Sequence, residues 1–184
     1  MVTDAENEDN PTTLTHKSLS WFIIKRGDNY GIRLKDSESK VLKEFKGVEY
    51  FPINPAYRVV AKFVPFDLPR SVKVPTALGI EDGTALGQFE FEVNGSKQVL
   101  TTTGKPNERN MLVFADQTTN KTTYGGGRFV WTDAVGDDNC TVIDFNKAYN
   151  PPCIFTPFAT CPRPLPENKL SVAVEAGEKT WGDH

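Results

Sequence analysis

The sequence predicts an all-β fold, a single domain of about ten short antiparallel strands with little helix, barrel-like or a two-sheet sandwich. Three observations predict it. Apolar and polar residues alternate with period two along most of the chain. Fourteen glycines and 13 prolines break the 184 residues into short runs. No segment of helix length sustains an i, i+3, i+4, i+7 apolar stripe.

The elements follow in chain order. Residues 1–18 are acidic and Thr-rich (Thr3, Thr12, Thr13, Thr15) and read as a solvated tail, leaving 19–184 as the single β domain. Leu19 to Lys25 and Gly31 to Lys35 alternate as strands, with Gly27-Asp28-Asn29 between them as a hairpin turn. Tyr57, Val59, Ala61 and Phe63 share one face of the next strand, with Arg58 and Lys62 on the other. Prolines 52, 55, 65, 69 and 75 punctuate this region and are expected to keep its strands short or at sheet edges.

Phe89, Phe91 and Val93 alternate with Gln88, Glu90 and Glu92, and Asn94-Gly95 then supplies a two-residue turn with positive φ angles. Folding there sets Glu92 opposite Lys97 and Phe89 opposite Leu100, so charge and apolar pairing agree on one register. Further strand runs are Ser71 to Val74, Met111 to Asp116, Arg128 to Thr132, Cys140 to Asp144 and Leu170 to Glu175.

Composition excludes several function classes. The net charge is −3, but Asp4, Glu6, Glu8 and Asp9 all lie in the tail, and the rest of the chain is nearly neutral. No basic excess supports nucleic-acid binding. No apolar run approaches the ~20 residues of a membrane helix. No leader segment is visible, and three cysteines do not suggest a disulfide scaffold, so a cytoplasmic protein is expected. On that basis the Asn-x-Ser/Thr triplets at Asn94, Asn120 and Asn139 read as turns, and Arg26-Gly27-Asp28 as a hairpin tip rather than an adhesion signal.

Histidine occurs only at His16 and His184, outside the expected folded body. That argues against Ser-His-Asp and Cys-His catalysis and against histidine-bearing zinc sites. No metal and no cofactor is expected.

The polar residues that remain carry the functional expectations. Tyr124-Gly125-Gly126-Gly127-Arg128 reads either as an anion cradle, with backbone N–H groups and a guanidinium, or as a bulged loop entering a strand. Cys153 and Cys161 lie in a proline-rich loop, where packing, a disulfide or redox role and metal binding are all open readings. Asp116 and Asp144 end apolar strands. Glu175 follows Ser171 and Ala173 on a small-residue face that lines a cavity or faces solvent.

The blocks FADQTTNKTTYGGGRFV, IDFNKAYNPPCIFTPFATCPRPLPENKL and VAVEAGEK resemble a widespread prokaryotic family of unknown function, domain of unknown function 1684. The stretch YFPINPAYRVVAKFVP resembles its middle region, and Leu165 departs from a family tendency to paired prolines. The resemblance implies no reaction. It groups Asp116, Thr118, Tyr124, Arg128, Asp144, Asn146, Tyr149, Asn150, Cys153, Cys161, Asn168, Glu175 and Glu178 as residues that belong together.

Three functions are compatible with that set. In the first, a small anionic molecule binds between the glycine loop and the DFNKAYNPPC loop. Arg128 holds its charge, Tyr124 and Tyr149 stack on or hydrogen-bond it, Asn146 orients it, and Asp116 stands beside them. In the second, the chain is an enzyme with Asp144 or Glu175 as base, Tyr124 as acid partner and Arg128 stabilising negative charge. In the third, the set only stabilises a structural or interaction module. Asp144 and Arg128 form a buried pair, and Asn146 and Asn150 bond the backbone of a loop held extended by Pro151-Pro152. Partner identity and oligomeric state are not set by the sequence.

Overall fold

The computed structural model describes residues 11–26, 29–76 and 79–182. Gly27 and Asp28, which the expected Gly27-Asp28-Asn29 turn and the Arg26-Gly27-Asp28 triplet share, lie outside the described residues, as do most of the acidic tail and His184. The chain divides into two compact units, residues 1–47 and 48–184.

In the first unit, β1 (Leu14–His16), β2 (Leu19–Arg26) and β3 (Asn29–Asp36) form an antiparallel sheet in that order. The first strand falls within the stretch read as tail. Trp21 opposes Leu34 and Ile23 opposes Ile32, so the apolar alternation of β2 and β3 falls on a common face. A single helical turn follows, α1 (Lys40–Glu44), capped by the Ser39 hydroxyl, which accepts from Leu42 N–H at 3.2 Å.

In the second unit, β4 (Arg58–Thr76), β5 (Gly79–Val93), β6 (Ser96–Thr102), β7 (Asn110–Phe114), β8 (Arg128–Thr132) and β9 (Cys140–Asp144) make one antiparallel sheet. Its order is β6-β5-β4-β9-β8-β7. The fold is therefore all-β, but neither sheet closes into a barrel.

The β5–β6 hairpin turns on Asn94 (φ 52°) and Gly95 (φ 71°), and its register pairs Glu92 with Lys97 and Phe89 with Leu100. Asn120 and Asn139 also lie in the left-handed region, at φ 63° and 60°. All three Asn-x-Ser/Thr asparagines thus occupy the conformation that asparagine tolerates better than most residues.

Two expectations need correction. The prolines do not keep the central strand short, because β4 runs for 19 residues. Only Arg58 to Lys62 pair with β9, whereas the proline-bearing remainder pairs with β5, apart from an isolated bridge between Thr76 and Pro162, and its register slips between Pro65 and Arg70. The missing proline N–H groups therefore fall where no second ladder needs them.

Leu170 to Glu175 is not a strand either. Its alternation is real, since Leu170 and Val174 are buried while Ser171 and Glu175 face solvent. Its amides, however, bond side chains and loop carbonyls instead of a regular ladder.

That irregular segment fills the gap between the edge strands β6 and β7. Leu170 N–H donates to Ala115 O at 2.8 Å, and Gln117 N–H donates to Val172 O at 3.1 Å. On the other side, Ser171 N–H donates to Gln98 Oε1 at 2.8 Å. Beneath it lies the core, built on Phe63, Phe89, Phe91, Phe114 and Phe145 with Leu100, Leu112, Val130, Ile143 and Val174. Phe114 and Phe145 pack edge to face, 5.2 Å between ring centres.

Candidate functional site

Part of the polar set of the C-terminal half gathers around one ion pair. β7 and β8 are antiparallel with Phe114 opposite Arg128, so Asp116, two residues beyond Phe114, is brought beside the arginine. Arg128 Nη2 donates to Asp116 Oδ2 at 2.8 Å, and each side chain is only 1% exposed. The expected partner, Asp144, is not the one used.

Asp116 is held by its own turn. Its Oδ1 accepts from Thr118 N–H at 2.6 Å and from the Thr118 hydroxyl. Thr118 Oγ1 also lies 2.8 Å from Thr123 Oγ1.

The guanidinium spends its other donors on backbone. Nη2 donates to Val174 O at 2.8 Å, while Nη1 donates to Ala176 O and, at 3.3 Å, to Glu178 O. Phe114 lies under it, 5.2 Å from the guanidinium carbon to the ring centre. Burial lowers the Arg128 pKa, and the Asp116 charge and hydrogen bond oppose that shift only in part. The pair thus ties three carbonyls of the C-terminal segment to the end of the sheet.

The rest of the segment is tied similarly. Glu178 Oε1 accepts from the Tyr50 hydroxyl at 2.7 Å, and Oε2 from Asn150 N–H at 2.6 Å. That carboxylate raises the Tyr50 pKa. Asn150 Nδ2 donates to Lys179 O at 2.7 Å, whereas its buried Oδ1 has no partner among the described residues. Gly177 sits at φ 74°, and a Cβ there would lie 2.4 Å from Ala148 O.

Asn168 closes the seam between the edge strands. Its Oδ1 accepts from Thr101 N–H at 2.8 Å, and its Nδ2 donates to Thr101 O at 2.9 Å and Val113 O at 3.2 Å. The side-chain amide thus replaces the strand that a closed barrel would have there.

The remaining sequence-derived candidates are dispersed. Asp144 Oδ1 accepts from Asn146 N–H at 3.2 Å and Asn146 Nδ2 at 3.0 Å, capping the 3-10 turn Phe145–Lys147. Asn146 also pairs with the Asn54 backbone, accepting from its N–H and donating to its carbonyl, both at 3.0 Å. The Tyr149 hydroxyl accepts from Trp131 Nε1 at 2.9 Å, and its ring packs edge to face on Phe129 at 5.7 Å. Glu175 is exposed.

Tyr124 lies near the Cys153 thiol, and burial, with the influence of that thiol, pushes its pKa up to about 12. The glycine loop and the DFNKAYNPPC loop therefore do meet, at Tyr124 and Cys153. Packing and a positive φ together account for the last of these glycines. Gly127 has φ 84°, and a Cβ there would lie 2.5 Å from Pro164 Cγ and 2.7 Å from Phe114 O.

A separate cleft of about 90 Å³ lies at the β6–β7 seam, lined by Val74, Thr101 to Thr103, Met111, Val113, Pro162, Arg163, Leu165 and Asn168. Arg163 is exposed at this cleft, and its charge acts on Tyr124 to oppose the rise in pKa. Sequence reasoning passed over Arg163 and the bridging role of Asn168, because neither is visible until the seam is formed. Among the described residues no helix is long and apolar enough to cross a membrane.

The fold and its centre define a class: an open antiparallel sheet whose seam is filled by a C-terminal segment pinned by a buried Asp–Arg pair. The chain belongs to the family described as protein of unknown function (DUF1684), which it matches over residues 43–179. Its structure is similar to the solution NMR structure of an uncharacterized protein of Haloarcula marismortui, 28% identical. That likeness covers 77% of this chain and 80% of the other, with a TM-score of 0.60. No curated protein matches the chain.

Proposed function

We propose that the protein is an interaction module that works through its outer surface, with the polar signature spent on holding the C-terminal segment in the sheet. The observation that carries this reading is the Asp116–Arg128 pair, 1% exposed on both sides with the guanidinium committed to three backbone carbonyls. A group so placed has no donor turned toward solvent for an external anion. Burial of an ion pair is costly, and here Arg128 offsets part of that cost by satisfying carbonyls that lack ladder partners. NMR observation of the Arg128 guanidinium during titration with inorganic phosphate tests the reading. No change in its signals is expected, and a saturable shift would overturn it.

A second reading keeps a small anionic ligand but moves it to the seam cleft. What supports it is Arg163 exposed at a cleft of about 90 Å³ that Thr101, Thr102 and Thr103 help to line. Sites for drug-sized ligands occupy roughly 300 Å³ or more, so this one suits an anion of about phosphate size. Saturable phosphate-induced shifts at Thr103 and Arg163 that disappear in Arg163→Ala would support this reading. Their absence in the wild type would remove it.

A further inference from the structure

The loop 151–164 joins the turn after β9 to the seam, and its own backbone bonding is sparse. Ile154 N–H and Phe155 N–H close a 3-10 turn on Pro151 and Pro152, and Arg163 N–H reaches Pro75 O at 2.7 Å. Between these anchors, Cys153 and Cys161 come together. Cys153 N–H donates to Cys161 Sγ at 3.3 Å. Both are free thiols, Cys161 buried and Cys153 half-buried. Among the described residues no group of three or more His, Cys, Asp or Glu gathers as a metal site.

We propose that Cys153 and Cys161 form a redox pair that closes into an intramolecular disulfide by exchange with a low-molecular-weight disulfide. A backbone N–H so close to the partner sulfur brings the two residues near the spacing a disulfide requires. The steps balance with such an oxidant. Cys153, the more accessible sulfur, loses its proton and attacks one sulfur of the small disulfide, forming a mixed disulfide and releasing one thiolate. Cys161 then loses its proton, attacks the Cys153 sulfur and expels the second thiolate. Two protein thiols are oxidised, and one small disulfide is reduced to two thiols.

The surroundings assign this order. Burial pushes the Cys161 pKa up to about 11, although the Cys153 N–H acts to lower it, and this makes Cys161 a poor first nucleophile. The bond would fix the loop that carries Arg163 to the seam cleft.

The test uses the native protein incubated with oxidised glutathione, quenched by alkylation and digested with trypsin. Both cysteines fall in one peptide, residues 148–169, because Arg163 is followed by proline, while Cys140 falls outside it. The expected result is a loss of two hydrogens from that peptide with no alkylation of either cysteine. The same treatment of Cys161→Ser should trap glutathione on Cys153. Glutathione retained on Cys153 of the wild type, or both cysteines still alkylated, overturns the proposal. The wild-type peptide decides the matter even where the variant does not fold.

Discussion

Replacing Arg128 by methionine keeps much of the side chain's apolar length and removes the guanidinium. The variant leaves the Asp116 carboxylate, 1% exposed, with only its Thr118 contacts and a long one from Val174 N–H at 3.5 Å. It also strips the donor from Val174 O, Ala176 O and Glu178 O. Breaking a buried pair costs about 3–5 kcal/mol. An unsatisfied buried carbonyl costs about 1–3 kcal/mol, and these losses overlap because water can enter once the segment loosens. A net loss of about 4 kcal/mol follows, a large share of the roughly 5–15 kcal/mol typical of a domain.

For a domain of this size, that loss corresponds to a fall in Tm of about 8–16 °C. Urea denaturation followed by circular dichroism measures it. Asp116→Asn keeps an acceptor for the Thr118 turn and should cost less, and the double variant should cost less than the two single losses together. A loss below about 1 kcal/mol in Arg128→Met would refute the reasoning, since the pair would then hold nothing that matters to folding.

Other consequences are equally measurable. Asn168→Ala removes the bridge between Thr101 and Val113 and should cost about 3 kcal/mol in the same denaturation assay; no change would mean that the seam is held elsewhere. Gly127→Ala forces a side chain into the left-handed region against Pro164 and should cost about 3 kcal/mol, whereas Gly95→Ala, with nothing within 4 Å, should cost less.

Stability should also fall on the alkaline side. The folded Cys161 pKa of about 11 lies above the ordinary 9.0, so the folded state holds that proton longer than the unfolded chain. Its contribution is complete below pH 9.0 and is lost as pH rises toward about 11. Tyr124 continues the fall between pH 10.0 and about 12. Denaturation midpoints across that range should drop more steeply in the wild type than in Cys161→Ala; parallel curves would contradict the assignment.

The parts legible in the sequence are those fixed by neighbours in the chain. Asn94-Gly95, the Glu92–Lys97 pairing and the alternation of Phe89, Phe91 and Val93 all sit within one hairpin, so turn chemistry and register support each other. The partner of Arg128 depends instead on strand order. Asp116 and Asp144 both end apolar strands, and only the antiparallel placement of β7 against β8 selects Asp116. Leu170 to Glu175 alternates as a strand does, yet the gap it fills offers Gln98, Ala115 and Asp116 as partners instead of a regular edge. Period two reports which face is buried; it does not report what the backbone bonds.

The same limit applied to the candidate site. A cluster of charged and amide residues in an all-β chain reads as binding or chemistry when its burial is unknown. Once Arg128 and Asp116 are sealed, and Asn150 and Asn168 are turned onto backbone, the cluster reads as the means of holding an irregular segment.

Amide hydrogen exchange in wild type and Arg128→Met tests that claim most directly. In the wild type, the amides of Gln117, Leu170 and Glu178 should exchange together with those of β5 and β6. In the variant they should exchange well before them, as one unit, because the segment has lost its pin. If the segment keeps the protection of β5 and β6 without Arg128, the buried pair is not what holds it in the sheet.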